Sequence, residues 1–302
     1  MLDFGFLLDA GCVLHSGMTG STPNTADCQG RFIWYELMTT DMEAAKAFYG
    51  KVMGWGAQDA SAPDMPYTLF IVGRSSIAGM MNLPEDAGKI GETPGWIGFI
   101  AVDDVDATAA RIKELGGAVY VPPMEIPDVS RFSVVADPQM AMFVVVKWLR
   151  PRSDQPAALN ARSRVGWHEL LAADCEKASA FYRELFGWEM ADPGADGYRL
   201  FSVGGQTIGG IGTKAPTVPV PLWLFYFNVG DIDAAAKRVK GAGGEILNGP
   251  TKVPDGSWIL GCTDPQGAIF ALVGKRSAGT VGYFERVAPA SPQPAGGRRW
   301  SW

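Results

Sequence analysis

Long apolar runs are missing from this 302-residue chain. Nothing in it approaches the roughly 20 apolar residues of a membrane helix, so no membrane partner is expected. Histidine is almost absent, with only His15 and His168, and the four cysteines (Cys12, Cys28, Cys175, Cys262) form no CxxC pair. That argues against a disulfide framework and a thiolate metal cluster, and it fits free thiols in a reducing cytoplasm. Positive charge is scarce: 26 Lys and Arg stand against 32 Asp and Glu, for a net charge of -6. Nucleic acid, which calls for a clustered basic face, is therefore not an expected partner. The chain also lacks a P-loop, a GxSxG elbow and a dinucleotide fingerprint.

What the chain has is a repeat. Residues 34–55 (WYELMTTDMEAAKAFYGKVMGW) align without a gap on residues 167–188 (WHELLAADCEKASAFYRELFGW), with 11 of 22 positions identical at an offset of 133. Tyr67-Thr-Leu-Phe-Ile-Val-Gly73 matches Tyr198-Arg-Leu-Phe-Ser-Val-Gly204. Trp96 and Trp223 open apolar runs ending in Val102-Asp-Asp-Val-Asp-Ala and Val229-Gly-Asp-Ile-Asp-Ala. Gly116-Gly117 matches Gly243-Gly244, and Asp137-Pro-Gln matches Asp264-Pro-Gln. A repeat of this length is two copies of one domain. The expected limits are a flexible lead over 1–30, a first domain over 31–148, a polar linker over 149–163, a second domain over 164–275 and a flexible Pro/Ala/Gly-rich tail over 276–302.

Within one copy, Phe32–Met38 is apolar and bounded and reads as a strand. Thr40-Asp41 supplies a helix N-cap, Ala44, Ala45, Phe48, Tyr49 and Val52 make a buried stripe, and Gly54 stops the helix. Strands follow around Tyr67–Val72 and Ser76–Met81. The order recurs from Trp96, with a helix over Asp104–Leu115 and strands over Ala118–Val121, Phe132–Val135 and Met142–Lys147. Each copy is thus a pair of βαβββ units, and the chain holds four. The expected class is α+β, with curled mixed sheets and helices on their outer faces.

The order of these motifs resembles the vicinal oxygen chelate superfamily, the glyoxalase, bleomycin-resistance and extradiol-dioxygenase group. The likeness covers almost everything from residue 31 to 275, and the tandem glyoxalase-like subgroup is the most similar. It implies βαβββ modules paired into two glyoxalase-like domains, each curling into a cup that holds a divalent metal chelating two substrate oxygens. The positions where the family places its ligands are Trp34, Ile97 and Val144 in the first copy and Trp167, Leu224 and Ala271 in the second. None of these side chains can donate to a divalent ion, so no cofactor is expected.

Residues i and i+2 of a strand share a face, so Glu36 points with Trp34, and Glu169 with Trp167. A carboxyl group against an indole in an apolar cup has its pKa raised by desolvation and is suited to acid–base work. Glu36 and Glu169 are the candidate catalytic residues, against the alternative that each serves only a buried hydrogen bond. Trp34, Trp167, Tyr67, Tyr198, Trp96 and Trp223 are candidate ligand contacts, with core packing as the alternative. His168 faces away from Trp167 and Glu169. It is a further candidate if it lies at a cleft or between the copies, and its partner in the first copy is Tyr35. Gly209-Gly210-Ile-Gly212 reads as close strand packing. Three functions remain open: a metal-independent enzyme on a small organic or carbonyl compound, a non-catalytic binding or sequestration protein, and a metal-dependent lyase or dioxygenase using Glu36, Glu169 and His168. In each the partner is a small organic ligand, and the assembly is a monomer or homodimer.

Overall fold

The computed structural model describes residues 28–62, 65–83, 93–149, 160–216 and 218–277. Most of the expected lead, the centre of the linker and nearly all of the tail lie outside these residues. The βαβββ order occurs four times. The first copy runs β1 (Phe32–Thr39), α1 (Met42–Met53), β2 (Gly56–Asp59), β3 (Tyr67–Val72), β4 (Ser75–Asn82), then β5 (Gly95–Ala101), α2 (Val105–Glu114), β6 (Ala118–Ile126), β7 (Ser130–Ala136), β8 (Met142–Trp148). The second runs β9 (Val165–Ala172), α3 (Cys175–Phe186), β10 (Glu189–Met190), β11 (Arg199–Val203), β12 (Gln206–Thr213), then β13 (Leu222–Asp231), α4 (Ile232–Gly241), β14 (Glu245–Lys252), β15 (Trp258–Thr263), β16 (Ile269–Lys275).

All four helices among the described residues start on the aspartate of the repeated motif. Asp41, Asp104, Asp174 and Asp231 are extended N-caps whose carboxylates accept the backbone N–H three residues on. Gly54 and Gly187 end α1 and α3 in the left-handed conformation, at φ 73° and 71°.

Each copy forms one mixed eight-stranded sheet, in the order β2-β3-β4-β1-β5-β8-β7-β6 and β10-β11-β12-β9-β13-β16-β15-β14. Register fixes which residues share a face. Glu36 lies opposite Ile97 and Trp34 opposite Phe99, while Leu37 lies opposite Trp96. The second copy repeats this with Glu169 opposite Leu224, Trp167 opposite Tyr226, and Leu170 opposite Trp223. One face of each sheet is therefore the cup face.

The other face carries the helices. Each copy's first helix reaches across to the other copy. Phe48 and Tyr49 of α1 pack against Phe270 of β16, and Tyr182 and Phe186 of α3 pack against Phe143 of β8. The two copies consequently share one continuous apolar core, from Leu37 and Phe48 to Phe270 and Leu272. Two matched polar chains cross it. The indole of Trp96 donates to the hydroxyl of Tyr49 (2.9 Å), which donates to Asp264 (3.1 Å). The indole of Trp223 donates to Tyr182 (3.1 Å), which donates to Asp137 (3.2 Å).

Candidate functional site

In the first cup the hydroxyl of Tyr67 donates to Oε2 of Glu36 at 2.9 Å. Tyr67 can reach it because Gly79, beside Glu36 in the parallel β1–β4 pair, has no side chain. A Cβ there would stand 1.9 Å from the phenol oxygen. Glu36 is only 6% exposed and Trp34 4%. Desolvation pushes the pKa of Glu36 up to about 7, against the smaller lowering by the Tyr67 hydrogen bond. Around them lies an apolar cluster of Ile97, Phe132, Val134, Val144 and Val146, with Phe99 against it. Trp148, at the end of β8, meets Trp34 edge-on with ring centroids 6.5 Å apart.

The second cup has the same plan with three changes. Glu169 is held by two phenols, Tyr226 and Tyr198, and the Trp167 indole donates to Tyr198 at 3.2 Å. The position of Tyr226 is Phe99 in the first copy, so the second donor has no counterpart there. Trp167 and Glu169 are half-buried, whereas Trp34 and Glu36 are buried. Finally, the place of Trp148 is taken by Lys275, which is exposed. Burial raises the pKa of Glu169, and both phenol hydrogen bonds oppose that rise. The floor is Leu224, Tyr226 and Ala271, with Ile259 and Val273 packed on it. Gly210 and Gly212 make room for Tyr198, since a Cβ on Gly210 would stand 2.3 Å from its phenol oxygen.

The structure thus brings together Trp34, Glu36 and Tyr67 in one cup, and Trp167, Glu169 and Tyr198 in the other. Trp96 and Trp223 stand on the opposite face, in the shared core, and donate to Tyr49 and Tyr182. His168 is buried between the copies, hydrogen-bonded to Tyr35 and to the Ile208 carbonyl. Arg131 is held in a two-pronged pair with Asp106. Tyr226 and Trp148 were missed by the sequence reading. Alternation along β13 carries Leu224 and Tyr226 to one face, and along β8 it carries Val144, Val146 and Trp148, so both were within its reach.

The donor set of the cups can be tested against a divalent ion. Such ions take several imidazole, carboxylate or thiolate donors in a compact set. Among the described residues no three His, Cys, Asp or Glu side chains converge on a common point. Each cup offers one carboxyl among phenols, indole and hydrocarbon, which does not fit a chelated ion. Cys175 contacts Ser179 and the carbonyls of Gly197 and Ile211.

Comparison with known proteins agrees with the architecture. The family model described as Glyoxalase/Bleomycin resistance protein/Dioxygenase superfamily matches residues 31–145 and again 164–272. "Putative glyoxylase CFP32" of Mycobacterium tuberculosis is 34% identical over 251 residues, covering 81% of this chain and 95% of the relative. "Anthracycline biosynthesis protein DauV" of Streptomyces sp. (strain C5) is 31% identical over 259 residues, covering 81% and 93%. Among solved structures, the Mn(II)-bound glyoxalase from Novosphingobium aromaticivorans superposes with a TM-score of 0.58 at 17% identity, covering 82% of each chain. The 2,3-dioxygenase LapB from Pseudomonas sp. KL28 gives a TM-score of 0.58 at 13% identity, covering 85% of this chain and 96% of that one. At those identities the two structures share the fold. Among the described residues no helix is long and apolar enough to cross a membrane.

Proposed function

Because the chain belongs to the Glyoxalase/Bleomycin resistance protein/Dioxygenase superfamily, we propose that it takes a small organic or carbonyl compound into its second cup and moves a proton through Glu169, without the chelated metal. The observation that carries this reading is the Glu169 carboxyl, held by Tyr226 and Tyr198 on a residue that is half-buried, beside the half-buried Trp167. A carboxylate has about four lone-pair positions, so two phenol donors leave others for a ligand. Desolvation raises its basicity toward the range useful at neutral pH. In the step proposed, ionised Glu169 accepts a proton from a ligand C–H beside a carbonyl, or from an acidic O–H. The bonding pair stays on the ligand, and the protonated carboxyl returns the proton when the product forms. Trp167 and the apolar floor bind the ligand's hydrocarbon face and keep water from the carboxyl.

A second reading is non-catalytic binding, favoured by the phenols that already occupy the carboxyl of Glu169. The name of the Streptomyces relative puts flat, fused-ring aromatic compounds among the first ligands to try.

Both readings are tested by titrating tryptophan fluorescence with an anthracycline and with the hemithioacetal of methylglyoxal, then following turnover of each. In an enzyme, Glu169→Gln lowers turnover by roughly 10²–10⁴-fold with affinity nearly unchanged. A binder shows an affinity change alone. Binding that survives Trp167→Ala undiminished rules out the second cup. Stoichiometric metal in the purified protein that is lost on Glu36→Gln or Glu169→Gln overturns the metal-free part.

A further inference from the structure

A cleft of about 230 Å³ lies where the two copies meet, lined by Lys51, Val52, Met53, Gly54, Arg162, Ser163, Val229 and Arg238. Its helix residues lie on the sheet face opposite the cups, and none of its lining residues is acidic. That composition is unexpected in a chain with net charge -6.

The internal repeat supplies a control for it. By the two offsets of the repeat, 133 for the first helices and 127 for the second, Lys51 corresponds to Glu184, Arg238 to Arg111, and Gly241 to Glu114. Ser163, whose carbonyl accepts the Trp55 indole, corresponds to Gly30, whose carbonyl accepts the Trp188 indole. Arg162 therefore corresponds to Gln29. At the sister location Arg111 is neutralised twice, by Glu184 and by Glu114 at 3.0 Å. At the cleft both carboxylates are gone, a lysine and an arginine have been gained, and the arginine of α4 is kept. One location of the repeat is a closed ion-pair cluster, while the other has three cationic residues lining a cavity.

The C-terminal end of α1 beneath the cations supplies only a partial negative charge, less than the two missing carboxylates. The last carbonyls of α1 are already engaged, with Gly50 accepting from the Gly54 N–H, Val52 from Arg238 Nε (2.9 Å) and Met53 from Ser163 Oγ (2.9 Å). The Nε contact fixes the Arg238 side chain and leaves its terminal N–H groups for another partner. Like charges brought together without a counterion cost energy, so such a cluster is favourable when an anion joins it. The cavity is smaller than the roughly 300–1,000 Å³ of a drug-sized site. Two guanidinium groups and an ammonium suit a compact, doubly charged oxyanion with several acceptors.

We infer that this cleft binds a phosphate group, as the free ion or as a small monoester, at the junction of the two copies. Because the site is shared by α1, the end of the linker and α4, occupancy stabilises the assembled pair of copies.

The experiment is calorimetric titration of the full chain with inorganic phosphate and, separately, glycerol 3-phosphate, in chloride buffers of matched ionic strength. Saturable binding with Kd on the order of 1 mM or tighter is expected for at least one of them, and their relative affinities tell free ion from ester. Lys51→Glu recreates the pairing of Arg111 with Glu184, so it should fold and weaken binding tenfold or more. Lys51→Gln serves if it does not fold. Arg162→Gln should weaken binding about threefold or more, and Arg111→Gln should leave it unchanged, in line with charge-assisted contacts. No saturable binding of either probe by the unmodified protein, equal affinity in the two Lys51 variants and the unmodified protein, or loss of binding on Arg111→Gln would overturn the inference.

Discussion

The hydroxyl of Tyr35 lies 2.6 Å from Nε2 of His168, and the two residues hold the same position in the two copies of the repeat, 133 apart. The pseudo-symmetry thus brings a residue against its own counterpart, and the pair works because the two differ. Nδ1 of His168 is 2.7 Å from the Ile208 carbonyl, which can only accept. The ring proton is therefore on Nδ1, and Nε2 accepts from the phenol. Phe32 stacks on the same imidazole with centroids 4.4 Å apart.

That arrangement holds His168 neutral, and desolvation lowers its pKa to about 4. A group that resists protonation in the folded state loses stability as pH falls, here between the unfolded value near 6.5 and about 4. The loss approaches about 3 kcal/mol. The double variant Tyr35→Phe/His168→Phe removes both polar partners and should lack this acid-dependent loss. Urea unfolding of both proteins at pH 7 and pH 4.5 checks it, and parallel pH dependences would show that His168 is not the group responsible.

Glu36 produces the opposite slope. Its folded-state pKa, about 7, lies above the ordinary 4.5, so the folded state holds the proton longer than the unfolded chain does. Stability then falls as pH rises from 4.5 to 7 and is level above that. Glu36→Gln keeps an acceptor for Tyr67 and removes the buried charge. Relative to the unmodified protein the variant should gain up to about 3 kcal/mol between pH 4.5 and pH 8. A constant difference across that range would mean that Glu36 titrates normally.

The fold was legible because its signals are local and repeated. The aspartate caps, the αL glycines and strand alternation depend on neighbours within a few residues. The family ligand positions could be checked by counting along the same strands. The contacts that join the copies were not legible. Tyr49 and Asp264 are 215 residues apart, and nothing near either one specifies the other. Trp96 and Trp223 were read as candidate ligand contacts, whereas their match reflects two equivalent bonds to Tyr49 and Tyr182, the phenols that reach across to Asp264 and Asp137. The difference between the cups was likewise hidden, because it rests on single positions, Tyr226 against Phe99 and Lys275 against Trp148, whose meaning appears only once register is known.

Tyr226→Phe should make the second cup resemble the first. The Tyr226 hydrogen bond lowers the pKa of Glu169, so its removal raises that pKa. Carbon-13 NMR of labelled glutamate carboxyls reads this directly. In the proposed enzyme the pH at which turnover reaches half its maximum should move upward in step. An unchanged carboxyl titration would show that Tyr226 does not control the charge of Glu169.

Trp148→Ala addresses why the first cup is more deeply buried than the second. Trp148 meets Trp34 edge-on, and behind them Glu36 is 6% exposed. An aromatic pair of this kind contributes about 0.5–1.5 kcal/mol beyond area burial, a cost that the shared core should tolerate. Lys275, the counterpart of Trp148, is exposed and leaves Trp167 and Glu169 half-buried. Removing the Trp148 indole should therefore open the first cup to solvent and to a ligand of the same apolar kind. With a ligand that binds the unmodified protein at one site per chain, calorimetry of Trp148→Ala should show a second site. Adding Glu36→Gln should alter that new site and leave the original unchanged, while Glu169→Gln should do the reverse. Two sites already present in the unmodified protein, or a single site kept in Trp148→Ala, would mean that Trp148 is not what closes the first cup.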